Sequence, residues 1–89
     1  MLTKSTIKTW LDNSNNKYVL VVRDKLDYTE YPMMFDDDTS VLSKIKENIN
    51  DKTIDILGLY KTGEDIELQL NDNGKTLYKQ FTKNFIVGD

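Results

Sequence analysis

The sequence predicts a single α+β domain, an antiparallel sheet of about five strands with one amphipathic helix packed on it and a short helix at the N-terminus. Three observations lead there. The run 17–24 is apolar and β-branched on both faces, as expected of a strand buried on both sides, and 53–61 also has apolar residues on both faces. Val41, Leu42, Ile45 and Ile49 recur at helical spacing, with Lys44, Lys46 and Glu47 between them. A chain of 89 residues, 38% of them hydrophobic, can bury one modest core and no second domain.

Taken in order, residues 5–11 place Ile7, Trp10 and Leu11 at i, i+3 and i+4, a short apolar helical stripe that the polar run 12–16 breaks. Residues 17–24 follow as a strand in the middle of the sheet. A tight connection at Lys25, Leu26 and Asp27 leads to a strand over 28–35, and Pro32 within it cannot donate to a ladder, which marks an edge or a bulge. Asp36, Asp37 and Asp38 then open a helix over 39–50, where negative charge suits the helix N-terminus and Asp38 or Thr39 can cap free amides. Asn50 and Asp51 end it.

Residues 53–61 form the third strand, and Thr62 and Gly63 turn the chain into 64–71, where Ile66, Leu68 and Leu70 alternate with Asp65, Glu67 and Gln69. Asn73-Gly74 signals a type I′ hairpin turn, which pairs Leu70 with Leu77, Leu68 with Lys79 and Ile66 with Phe81. On that register Trp10, Ile45, Leu68 and Phe81 belong to the core and Tyr78 faces outward. Residues 84–87 add a last short strand. The expected order is therefore α-β-β-α-β-β-β, whose strand–strand–helix–strand–strand run resembles the β-grasp order.

Chemistry is sparsely supplied. With no cysteine there are no disulfides or thiolate metal sites, and with no histidine the commonest general base and metal ligand is missing. The four glycines, at 58, 63, 74 and 88, are isolated, so no phosphate-binding loop is encoded. Counted as a calcium loop from Asp36, the chain places Val41 where that loop needs glycine for its sharp turn. Asp65 and Glu67 are neighbours on a solvated strand face rather than a catalytic pair. The sequence reads as a non-enzyme with no cofactor and no metal.

Charge carries the functional clue. The net charge is −3 and the isoelectric point about 4.8, which argues against unaided binding to nucleic acid or an anionic membrane. Between residues 24 and 38 six acids (Asp24, Asp27, Glu30, Asp36, Asp37, Asp38) face one lysine, a local charge of −5, interleaved with Tyr28, Tyr31, Met33, Met34 and Phe35. Tyrosine and methionine favour interface cores, so Asp24, Asp27, Tyr28, Glu30, Tyr31, Asp36, Asp37 and Asp38 form the candidate surface for a basic protein partner. Strand alternation assigns half of the apolar residues there to the core. Residues 75–87 hold three lysines and no acid. Lys75, Tyr78, Lys79 and Lys83 therefore make an alternative site, for single-stranded nucleic acid held by stacking and phosphate contact.

No secretory or membrane-spanning pattern is present, the longest apolar run being residues 18–22, so the expected location is the cytoplasm. Alanine is absent and arginine occurs once, a bias expected of an AT-rich coding genome. In size, acidity, lack of catalytic residues and this bias, the chain resembles, as a class, the small acidic proteins that phages and other mobile elements encode against host defence enzymes, anti-CRISPR proteins among them. The resemblance implies an inhibitor that blocks a nucleic-acid-handling host protein, and it carries over no individual residues. An immunity-type partner subunit, whose edge completes another protein's sheet, is the further alternative.

Overall fold

The computed structural model describes residues 3–49 and 52–87. The elements are α1 (Lys4–Asp12), β1 (Tyr18–Asp24), β2 (Glu30–Phe35), α2 (Asp38–Ile49), β3 (Ile54–Lys61), α3 (Ile66–Asp72) and α4 (Lys75–Val87). The class is α+β as expected, but the sheet has three antiparallel strands in the order β2-β1-β3, not five. The expected helix end at Asn50 and Asp51 lies outside the described residues.

β1 is the centre of the molecule because its side chains satisfy two cores at once. Tyr18, Leu20 and Val22 point to one face, where Val41 and Ile45 of α2 and Leu77, Tyr78 and Phe81 of α4 cover them. Val19 and Val21 point to the other, against Ile7 and Leu11 of α1 and Leu70 of α3. A strand buried on both sides reads as a continuous apolar run, and helices on both faces are what bury it. β3 keeps both faces apolar through a bulge. Val22 pairs with Ile56 but Val21 with Gly58, so Leu57 is the extra residue and the alternation changes phase. Ile56 and Leu59 then serve the α2–α4 side, and Leu57 and Tyr60 the α1–α3 side.

The expected hairpin over 64–81 and the strand over 84–87 are overturned: both segments lie in helices. Ile66 and Leu70 are four apart and form the buried stripe of α3, while Leu68, expected in the core, is 68% exposed. Asp65 caps α3 by accepting from the Leu68 amide at 3.2 Å, and Glu67 lies in the first turn, so these two carboxylates are helix-start acids and not a strand pair. Asn73 and Gly74 do take the positive φ that a type I′ turn requires, 54° and 68°. They use it to end α3, the Gly74 amide returning to the Gln69 carbonyl at 2.8 Å in the manner of a Schellman cap. α4 follows at once, its first turn tied by Asp72, which accepts from the Thr76 amide at 2.6 Å. Phe81 packs edge-on to Tyr18, ring centroids 5.2 Å apart.

The α3–α4 corner closes the C-terminal end of the outer edge of β3, at Leu59 and Lys61. The Gln69 side-chain amide accepts from the Lys61 amide at 2.6 Å and donates to the Lys61 carbonyl at 2.9 Å, copying the two bonds of a neighbouring strand. Gly74 lies directly against the Leu59 backbone, where a side chain has no room.

Candidate protein-binding hairpin

The acidic segment divides in two. β2 holds its halves apart: from Glu30, its first residue, to Asp36, just past its last, is six steps, about 20 Å at 3.4 Å per residue. Asp36, Asp37 and Asp38 stand at one end. There Asp37, rather than Asp38 or Thr39, caps α2 by accepting from the Ser40 amide at 2.7 Å. Asp38 accepts from the Tyr18 hydroxyl at 2.7 Å and pairs with Lys17 at 3.4 Å. These bonds, Ser40 for Asp37 and chiefly Tyr18 for Asp38, hold both carboxyls below their ordinary pKa. Asp37 and Asp38 thus already serve the helix start.

Asp24, Asp27, Tyr28 and Glu30 gather at the other end, in and beside the β1–β2 loop. That loop is braced from within. Asp24 accepts from the Leu26 amide at 2.8 Å and Asp27 from the Thr29 amide at 2.9 Å, local turns that both side chains favour. Thr29 also lowers the Asp27 pKa. The Tyr28 amide donates to the Asp24 carbonyl at 2.7 Å, and the Lys25 amide reaches the Thr53 carbonyl at 2.8 Å. Asp55 of β3 accepts both the Lys25 ammonium at 3.2 Å and the Arg23 guanidinium at 3.3 Å, which anchors the loop to the sheet.

This bracing presents two apolar side chains to solvent. Leu26 is 83% exposed and Tyr28 is 71% exposed. Tyr28 also holds φ at 60°, in the left-handed region that bulky residues avoid. Leu26 escaped the sequence reading, although a leucine in a three-residue turn was the signal to notice. Tyr31, by contrast, is half-buried with Met33 and Phe35 on the α2 side, which removes it from the candidate surface. Arg23 and Glu30 are partners across β1 and β2, and Glu30 Oε2 is buried without a hydrogen bond.

The alternative site changes character. Lys75, Lys79 and Lys83 are exposed at i, i+4 and i+8 along α4, a basic helical stripe. Tyr78 is half-buried against the α2–α4 core rather than standing free on the outer face, which weakens it as a stacking platform. A groove of about 530 Å³ lies beside β3 between α3 and α4. Most of its polar groups are already engaged: Asp65 and Asp72 with helix amides, Gln69 with Lys61, and Glu64 with the Lys61 ammonium at 3.7 Å. Among the described residues no group of three or more His, Cys, Asp or Glu side chains can hold a metal ion, and no helix is long and apolar enough to cross a membrane. Compared with known proteins, the chain matches no family model, no curated protein and no solved structure.

Proposed function

We propose that the protein is a cytoplasmic, non-enzymatic binding module, an inhibitor or adaptor of the anti-defence kind, that uses its acidic β1–β2 hairpin to engage a basic surface of a nucleic-acid-handling protein. Tyr28 carries the reading. A bulky residue in the left-handed region costs about 1–2 kcal/mol, and this ring, 71% exposed, recovers little of that by burial in its own fold. Backbone strain that side-chain burial does not offset is a feature of recognition sites. Around it, Asp24, Asp27 and Glu30 supply the negative charge that attracts a basic partner and speeds encounter.

The test uses one substitution whose effects on stability and on binding have opposite expected signs. Tyr28→Gly should stabilise the fold by roughly 0.5–1 kcal/mol, because relief of the left-handed strain outweighs the entropy glycine adds to the unfolded chain. The same change should weaken partner binding at least tenfold, about 1.4 kcal/mol. The partner is obtained by pull-down from a low-GC bacterial lysate and identified by mass spectrometry. Neutralising Asp24→Asn, Asp27→Asn and Glu30→Gln together should also release it, since asparagine keeps the oxygens that brace the loop. A partner that survives both changes and is lost with Lys75→Gln, Lys79→Gln and Lys83→Gln would move the site to α4.

A further inference from the structure

The two edges of the sheet are treated differently. On β3 the outward groups of Lys61 are taken by the Gln69 amide and the Leu59 backbone is covered by Gly74. On β2 no strand pairs with the outer edge among the described residues. The Asp24 amide donates to the Thr29 carbonyl at 2.9 Å, so alternate residues of β1 face β2, and the partners of Val22, Leu20 and Tyr18, namely Tyr31, Met33 and Phe35, face back. The main-chain groups of Glu30, Pro32 and Met34 are therefore turned outward: two amides and three carbonyls, with Pro32 at the one place where an amide is lacking.

Register adds a second, independent feature. Asp55, Arg23 and Glu30 lie side by side on β3, β1 and β2, a row of alternating charge running across the sheet. Arg23 bonds to Asp55 through Nη2, and two groups of the row are buried without a hydrogen bond, Arg23 Nε and the Glu30 Oε2 on the residue opposite it. The next position in the row belongs to a fourth strand, and a cation placed there continues the alternation.

We infer that the β2 edge accepts an extended segment of a partner protein as a fourth strand, with a lysine or arginine of that segment opposite Glu30. The inference rests on the proposed binding role of the hairpin and names the mode by which the partner is held: main-chain bonds give affinity, and the facing side chains give selectivity. A second copy of this chain is a poor occupant. Antiparallel pairing centred on Pro32 sets two prolines against each other and brings the Asp27 end of one copy to the Asp37 end of the other. Acids at both ends of β2 favour a strand with basic residues spaced to meet them.

The probe is a capped heptapeptide, Thr-Lys-Val-Thr-Val-Lys-Thr, in which one lysine faces Glu30 in either strand direction, with a twin carrying glutamate at both lysine positions. Hydrogen exchange is followed by NMR. The lysine peptide at millimolar concentration should slow the Glu30 and Met34 amides at least tenfold and leave the Lys61 amide unchanged, and the glutamate twin should slow neither. Glu30→Lys should reverse the preference between the peptides, and Glu30→Gln should abolish it. Equal protection by both peptides, or no protection of either amide, overturns the inference. If no amide is protected while the lysate partner still depends on Asp24, Asp27 and Tyr28, the sheet extension fails and the hairpin reading stands. If the amides are protected while the lysate partner ignores those residues, the hairpin reading fails and the edge remains a strand acceptor.

Discussion

Tyr18 couples core packing to pH through one hydroxyl. Its ring is buried against Phe81, and its hydroxyl donates to Asp38 at 2.7 Å. Burial first, then the Asp38 bond and charge, push the phenol up to about 12 from 10.0. A raised pKa favours the neutral form in the folded state, so its stabilisation is complete below pH 10 and is lost as pH rises from 10 to about 12. The loss falls within that window, and burial of Tyr60 adds to it in the same direction. Tyr18→Phe should therefore flatten most of the alkaline decline in urea stability while costing about 0.5–1.5 kcal/mol at pH 7 through the lost hydrogen bond. An unchanged alkaline slope in the variant would mean that another group titrates there. On the acid side Asp27, Asp37, Asp38, Asp55 and Asp72 all lie below their ordinary value, so the stability they confer is present above pH 3.8 and lost as pH falls through their lowered values.

At the scale of elements the α3–α4 corner decides the architecture. Gly74, at φ 68°, touches the Leu59 backbone, and a Cβ at Gly58 would stand 2.7 Å from the Asn73 carbonyl oxygen. Gly74→Ala should cost about 2–4 kcal/mol, combining left-handed strain with the clash. Exchange at the Lys61 amide should rise before global unfolding as Gln69 is levered off the edge. Protection of Lys61 equal to that of the natural chain would show that the corner is not what seals β3. This corner is also where the sequence misleads. Ile66, Leu68 and Leu70 satisfy strand alternation, yet Ile66 and Leu70 equally satisfy helical spacing, and only burial separates the two. Asn73-Gly74 announces positive φ correctly, but a helix cap uses the same angles as a hairpin turn. Leu77, Tyr78 and Phe81 form a helical stripe that the expected hairpin obscured. The central strand and the Pro32 edge were legible because a doubly buried run and a missing donor each allow few placements. Of the candidate site, the charge was legible but its grouping was not: a count along the chain joined Asp24 and Asp27 to Asp36, Asp37 and Asp38, which a strand holds apart.

For the whole molecule, the central question is whether the two helical layers fold as one unit. β1 supplies Leu20 and Val22 to one core and Val19 and Val21 to the other, and all four are fully buried. Neither layer can leave without exposing a strand that the opposite layer also needs, which predicts a single cooperative transition. The chain provides its own reporter. Trp10, its one tryptophan, lies in the α1–α3 layer, whereas Ile45 is buried in the α2–α4 layer on the far side of the sheet. Ile45→Val, a loss of one methylene, should cost about 0.5–1.5 kcal/mol. That cost lowers Tm by roughly 4–8 °C per kcal/mol in a domain of this size. The shift should be the same by Trp10 fluorescence as by far-ultraviolet circular dichroism, although Trp10 touches nothing that the substitution changes. A fluorescence transition that stays in place while the circular dichroism transition moves would mean that the α1–α3 layer melts independently, and that β1 does not transmit the loss from one core to the other.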